Sequence, residues 1–183
     1  MKIKTKLALL YTSITVILLA IVFVFVYILT SKNIDANYYT LLFDKALITA
    51  EKHFEEDELS QQAYQKILDT YQTLLPETSE TIIIANNKQD AMVELQPFLN
   101  SRQIEKLFNE KRIQFENDNL DGVGIYYPDN EGDFIIIVVA ENVQGEYIKN
   151  NLKNILLAIL LVSSLLIFGL LWLNAHIITK PLQ

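Results

Sequence analysis

Three carboxylates at alternate positions, Asp129, Glu131 and Asp133, form the arrangement in this chain most like a metal-ligand set. Calcium loops space oxygen ligands this way because the cation takes roughly six to eight of them, and they add a Gly at position six and a Glu at position twelve. Counted from Asp129, glycine comes at the fourth position as Gly132 and Ala140 stands at the twelfth. The three therefore suit a solvated hairpin tip better than a divalent-cation site. The run Glu55, Glu56, Asp57, Glu58 has the same two readings, a solvated helix junction first and a sensor of cations or cationic peptides second.

Catalytic constellations are missing. The two histidines, His53 and His176, stand 123 positions apart. The five glycines, at 122, 124, 132, 145 and 169, are too scattered for a phosphate-cradling loop. A Ser-His-Asp triad would need His53 as its base, and there is no nucleophile elbow to present a serine. With no cysteine, disulfides and thiolate metal sites are excluded, and an ectoenzyme reading finds no support. No catalytic, cofactor-binding or firm metal residue emerges.

The elements that would position these residues fall into two populations. Residues 7–29 and 155–173 are runs of 23 and 19 residues without a charge. As helices they would be roughly 34 and 28 Å long, close to a hydrocarbon core of about 30 Å. Both are predicted to cross a membrane. The first is too long for a signal-peptide core and is not followed by a small-x-small cleavage site, so it reads as an uncleaved anchor. Neither run holds an intramembrane charge that would suggest transport. Ser163, Ser164 and Gly169, with Thr12, Ser13 and Thr15, mark either close helix approach or hydroxyls bonded back to their own helix.

All 22 acidic residues lie between Asp35 and Glu146, whereas Lys2, Lys4, Lys6 and Lys180 flank the two runs. Residues 31–153 thus carry a net charge of −11. The positive-inside rule places both termini in the cytoplasm and the acidic segment outside it. Lys32, Lys149 and Lys153 would snorkel to the outer interface. Such an acidic domain argues against nucleic acid as a partner.

Within that segment Tyr39, Leu42, Phe43, Ala46, Leu47, Ala50 and Phe54 recur at helical spacing, which predicts a helix continuous with the first span. Ser60 is the expected N-cap of a second helix with Tyr64, Ile67, Leu68, Tyr71, Leu74 and Leu75 on one side, stopped by Pro76. Strands are predicted at 81–85, 91–95, 113–116, 123–127 and 134–140, with a short helix over 101–111. The last two strands form a hairpin around a six-residue loop from Pro128 to Asp133, and 134–140, apolar on both sides, reads as central. Residues 147–154 lead helically into the second span. The expected fold is α+β, with two N-terminal helices and helices on one face of an antiparallel sheet of about five strands.

After the second run the chain reads HIITKPLQ. Pro181 cannot continue a helix interior but suits the first turn of a new one, so a break is expected and a new helix near Lys180. Ile177, Ile178, Thr179, Pro181 and Leu182 resemble the I-T-x-P-L start of a HAMP linker, the signal-transmission junction of many bacterial receptors. With "MKIKTKLALLYT" before the first run and "EYIKNNLKNI" before the second, the layout resembles the N-terminal half of a two-component sensor histidine kinase. The expected organisation is a cytoplasmic N-terminus (1–6), a first span (7–29), an extracytoplasmic sensor domain (30–154), a second span (155–173) and the start of the linker (174–183).

The resemblance implies a PAS-like (PDC) outer fold in the periplasm of a bacterium, anchored in the inner membrane. It implies a homodimer, an extracytoplasmic ligand, and a cytoplasmic kinase region beyond residue 183 that would use ATP and Mg and act on a response regulator. Neither His53 nor His176 has the surroundings of a phosphoacceptor. The rival expectations are a receptor with a chemotaxis or cyclic-dinucleotide output, and a two-span structural or adaptor protein ending at Gln183.

Overall fold

A computed structural model of the chain describes residues 3–56, 59–117 and 120–178. They divide into two compact units, Met1–Ile34 with Gln144–Gln183, and Asp35–Val143.

The first unit consists of helical segments. α1 runs from Ile3 to Phe54 without interruption, as a stretch lacking both Gly and Pro allows. The final helix, numbered α5 below, spans Val143–Ile178. Both are long and apolar enough to cross a membrane. The side chains of their apolar segments are largely uncovered: Ile21, Phe25, Leu161 and Leu165 are each more than 60% exposed. A helix apolar on every side with nothing packed over it is stable in lipid rather than in water. The hydroxyls of Thr15 and Ser164 bond back to Tyr11 O and Leu161 O at 2.9 and 2.8 Å, and apart from its own turn of helix no described atom comes within 4 Å of where a Cβ of residue 169 would stand. Of the two readings of these small residues, Thr15 and Ser164 follow the self-bonded one.

The second unit is α+β. After α1 come α2 (Gln61–Thr73), β1 (Ser79–Ile84), α3 (Lys88–Leu95), α4 (Ser101–Glu110), β2 (Arg112–Asn117), β3 (Leu120–Asp129) and β4 (Gly132–Ala140). The strands form one antiparallel sheet in the order β1-β4-β3-β2. The hairpin is tighter than its loop composition suggested. Asp129 pairs with Gly132, so the turn is only Asn130 and Glu131. Pro128 is tolerated in β3 because β2 begins opposite Ile125, and the bond from Tyr126 N to Lys111 O at 2.8 Å comes before it, so residue 128 lies past the paired part of that side. Gly132 has φ +143°, and the Asn86 side chain lies where a Cβ would be while accepting from Asp133 N at 2.6 Å.

Two expectations need correction. The described residues form four strands rather than five, because 91–95 belongs to helix α3. Ala91 and Leu95, one turn apart, are buried, while Val93, which a strand would have placed beside them, is 64% exposed. The sheet is also covered on both faces. Ile83, Ile113, Phe115, Ile135 and Ile137 pack with Ala91 and Leu95 of α3 and Ile104 and Leu107 of α4. Val123, Ile136, Val138 and Ala140 pack on the other face with Leu42, Ala46 and Ala50 of α1. This double cover is why β4 is apolar on both sides, as its sequence indicated. Ser60 caps α2 as expected, accepting from Ala63 N, whereas Leu47, counted in the α1 stripe, is exposed.

Candidate functional site

The last three turns of α1 present two stripes side by side. Leu42, Ala46 and Ala50 enter the core, whereas Lys45, Thr49 and Lys52, offset by a residue or two, line a pocket of about 450 Å³. His53, Tyr71 and Gln72 of α2, Pro76, Thr78, and Glu80 and Ile82 of β1 complete the lining. A volume near the lower end of the ~300–1,000 Å³ typical of small-molecule sites suits a small ligand.

Lys45 is 2% exposed, and a buried ammonium must be paired. Its Nζ donates to Tyr71 O at 2.8 Å, lies 3.4 Å from Glu80 Oε1 and sits 3.8 Å from the centre of the Tyr71 ring. Glu80 also accepts from Tyr71 Oη at 3.0 Å and from Thr78 Oγ1 at 3.0 Å. Its charge is therefore met by three donors. Burial first, and the bond to Glu80 second, push the Tyr71 hydroxyl above the ordinary phenol value.

Lys52 is placed differently. Its Nζ also lies over the Tyr71 ring, at 3.7 Å, but no described carboxylate pairs with it. The two lysines, two turns apart on α1, grip one aromatic ring within its own breadth. His53 Nδ1 lies 2.8 Å from Thr49 O, and because a carbonyl can only accept, Nδ1 carries a hydrogen and donates it there.

Two further phenol–carboxylate pairs tie α1 and the residue that follows it to the sheet outside the pocket. Tyr39 Oη donates to Asp121 Oδ1 at 2.7 Å, and Tyr127 Oη to Glu55 Oε1 at 2.5 Å. Burial, and then these carboxylates, raise both hydroxyls well above the ordinary phenol range. Burial and neighbouring Glu55 also raise Glu51.

The residues singled out by sequence are elsewhere. Asp129 accepts from Glu131 N at 3.0 Å in the hairpin turn, and Asp133 raises the Tyr126 hydroxyl by bonding to it. Among the described residues no three His, Asp or Glu side chains converge to hold a metal ion, so Asp129, Glu131 and Asp133 form no such group. Glu55 is tied to Tyr127, and Asp57 and Glu58 lie outside the described residues. Ile177 is the penultimate residue of α5, and the rest of the junction, Thr179, Pro181 and Leu182, lies outside the described residues, as does the expected break near Lys180.

Sequence reasoning missed the pocket because it followed the apolar stripe of α1 and did not weigh the polar residues beside it. The polar residues at i, i+4 and i+7 were the available signal. Compared with models of protein families, with curated proteins and with solved structures, the chain matches none.

Proposed function

We propose that these residues are the input half of a two-component sensor histidine kinase. The acidic α+β unit lies outside the cytoplasmic membrane, in the periplasm, as a PAS-like sensor, and both termini are cytoplasmic. The protein acts as a homodimer, and the junction at Ile177, Thr179, Pro181 and Leu182 passes the signal to a kinase region that uses ATP and Mg and phosphorylates a response regulator.

The observation that carries this reading is the continuity of α1. One helix supplies a membrane-length apolar segment and then, at Lys45, Thr49, Lys52 and His53, one wall of a polar pocket. A ligand in that pocket touches α1 directly, together with α2 and β1. It can shift the receptor only to the extent that it binds one arrangement of these elements better than another.

The orientation is testable because the chain has no cysteine of its own. Single substitutions Gln62→Cys and Lys6→Cys are made in the full protein, with any cysteine beyond residue 183 replaced by serine, and treated in intact spheroplasts with a membrane-impermeant maleimide. The expected result is labelling at 62 alone, with position 6 labelled only after permeabilisation. Labelling at position 6 in intact cells would overturn the topology. Sequence following codon 183 that encodes a coiled-coil linker, a His-bearing helix pair and an ATP-binding domain would establish the output.

A further inference from the structure

We infer that the pocket formed by α1, α2 and β1 binds a small organic monocarboxylate, with Lys52 holding the carboxylate. The inference deepens the receptor reading above and rests on it for its meaning, though not for its measurement.

The sign of the ligand follows from the pairing of the charges. Glu80 is the only carboxylate lining the pocket among the described residues, and Lys45, Tyr71 and Thr78 already donate to it. A cationic ligand or the ammonium of an amino acid would have to displace these donors and leave the buried Lys45 uncompensated. Lys52 instead brings an ammonium with no described carboxylate partner. Among the described residues, the pocket thus has one lysine without a carboxylate partner, within a segment whose net charge is −11. One anionic group neutralises it, and the other lysine of the lining, Lys45, is engaged and 2% exposed.

The size and remaining lining set the body of the ligand. An inorganic oxyanion would occupy a small part of about 450 Å³ and leave Ile82 and Pro76 facing water. A short aliphatic or single-ring acid covers both while its carboxylate reaches Lys52. The hydroxyl hydrogens of Thr49 and Thr78 are committed to Lys45 O and Glu80, so neither donates to a hydroxylated body.

The test uses the full chain in detergent micelles, with butyrate and benzoate as probes and butyramide, γ-aminobutyrate and inorganic phosphate as comparisons at equal ionic strength. Saturable binding by calorimetry and a saturable rise in Tm are expected for butyrate or benzoate. Butyramide lacks the charge, γ-aminobutyrate adds an ammonium, and phosphate lacks the apolar body, so each should bind at least about tenfold more weakly. Lys52→Met should abolish binding, Lys52→Arg should retain it, and Lys106→Met, at an exposed ion pair away from the pocket, should change nothing. Failure of both carboxylates to saturate overturns the inference, as does binding that survives Lys52→Met or equal binding by butyramide or phosphate. Such a failure removes the ligand class and leaves the topology to the labelling experiment, which needs no ligand.

Discussion

The buried pair Lys45–Glu80 makes the two partners unequal. Glu80 keeps the Tyr71 and Thr78 donors and some exposure if Lys45 is lost, whereas Lys45, once Glu80 is lost, is a buried cation with only a carbonyl and a ring beside it. Removing one partner of a buried pair costs roughly 3–5 kcal/mol because the other charge is left buried and unpaired, and the cost falls where the remaining charge keeps other donors or some exposure. Glu80→Ala should therefore destabilise the protein by about 3–5 kcal/mol and Lys45→Met by clearly less, since Glu80 keeps two donors. Urea unfolding of the full chain in micelles, followed by tryptophan-independent far-UV dichroism, separates the two. Equal losses would mean that Lys45 owes its burial to its stem and the Tyr71 ring rather than to the carboxylate.

At the level of elements, β3 shows how a strand can be shaped by what its partner places over it. Phe115 of β2 pairs with Gly122, and a Cβ at Gly122 would stand 2.4 Å from the Phe115 ring, so the ring lies across the glycine. Gly122→Ala should push Phe115 out of the core at a cost of about 1–3 kcal/mol, the usual range for overpacking. Phe115→Leu in the same chain should return part of that loss, a coupling that a double-mutant cycle measures. Additive losses would show that the ring does not depend on the glycine. The α+β class, the long first helix, the Ser60 cap and the β3–β4 hairpin were legible because each has a local signal: a period, a cap or a turn. The α3 segment was not, since Ala91, Val93 and Leu95 fit alternation as well as Ala91 and Leu95 fit a helical turn in so short a window. The Asn87 side chain, accepting from Gln89 N at 3.0 Å, was the cap that would have decided it. The pocket was illegible for a different reason. Burial of Lys45 depends on Tyr71 and Glu80, which only the packed α2 and β1 bring to it.

For the whole molecule, the proposed receptor turns on whether α1 carries helical phase from its apolar segment to the face that holds Tyr39, Leu42 and Lys45. Nothing in residues 31–37 breaks the helix, and Thr40 Oγ1 bonds back to Ala36 O at 3.0 Å just beyond them. A helix turns about 100° per residue, so two extra residues reverse the facing direction by roughly 200°, while seven restore it to within about 20°. A gradual dependence on length would instead track rise, at about 1.5 Å per residue. With a histidine-kinase module joined after residue 183, alanine insertions between Lys32 and Asn33 should therefore divide by phase and not by length. Two alanines should change basal autophosphorylation several-fold, and seven should leave it near the parent level despite adding more than three times the distance. A change that grew steadily from two to seven would assign the coupling to displacement along the helix axis. No change with either insertion would mean that α1 anchors the sensing unit without reporting on it, and the signal would then have to leave through α5 alone.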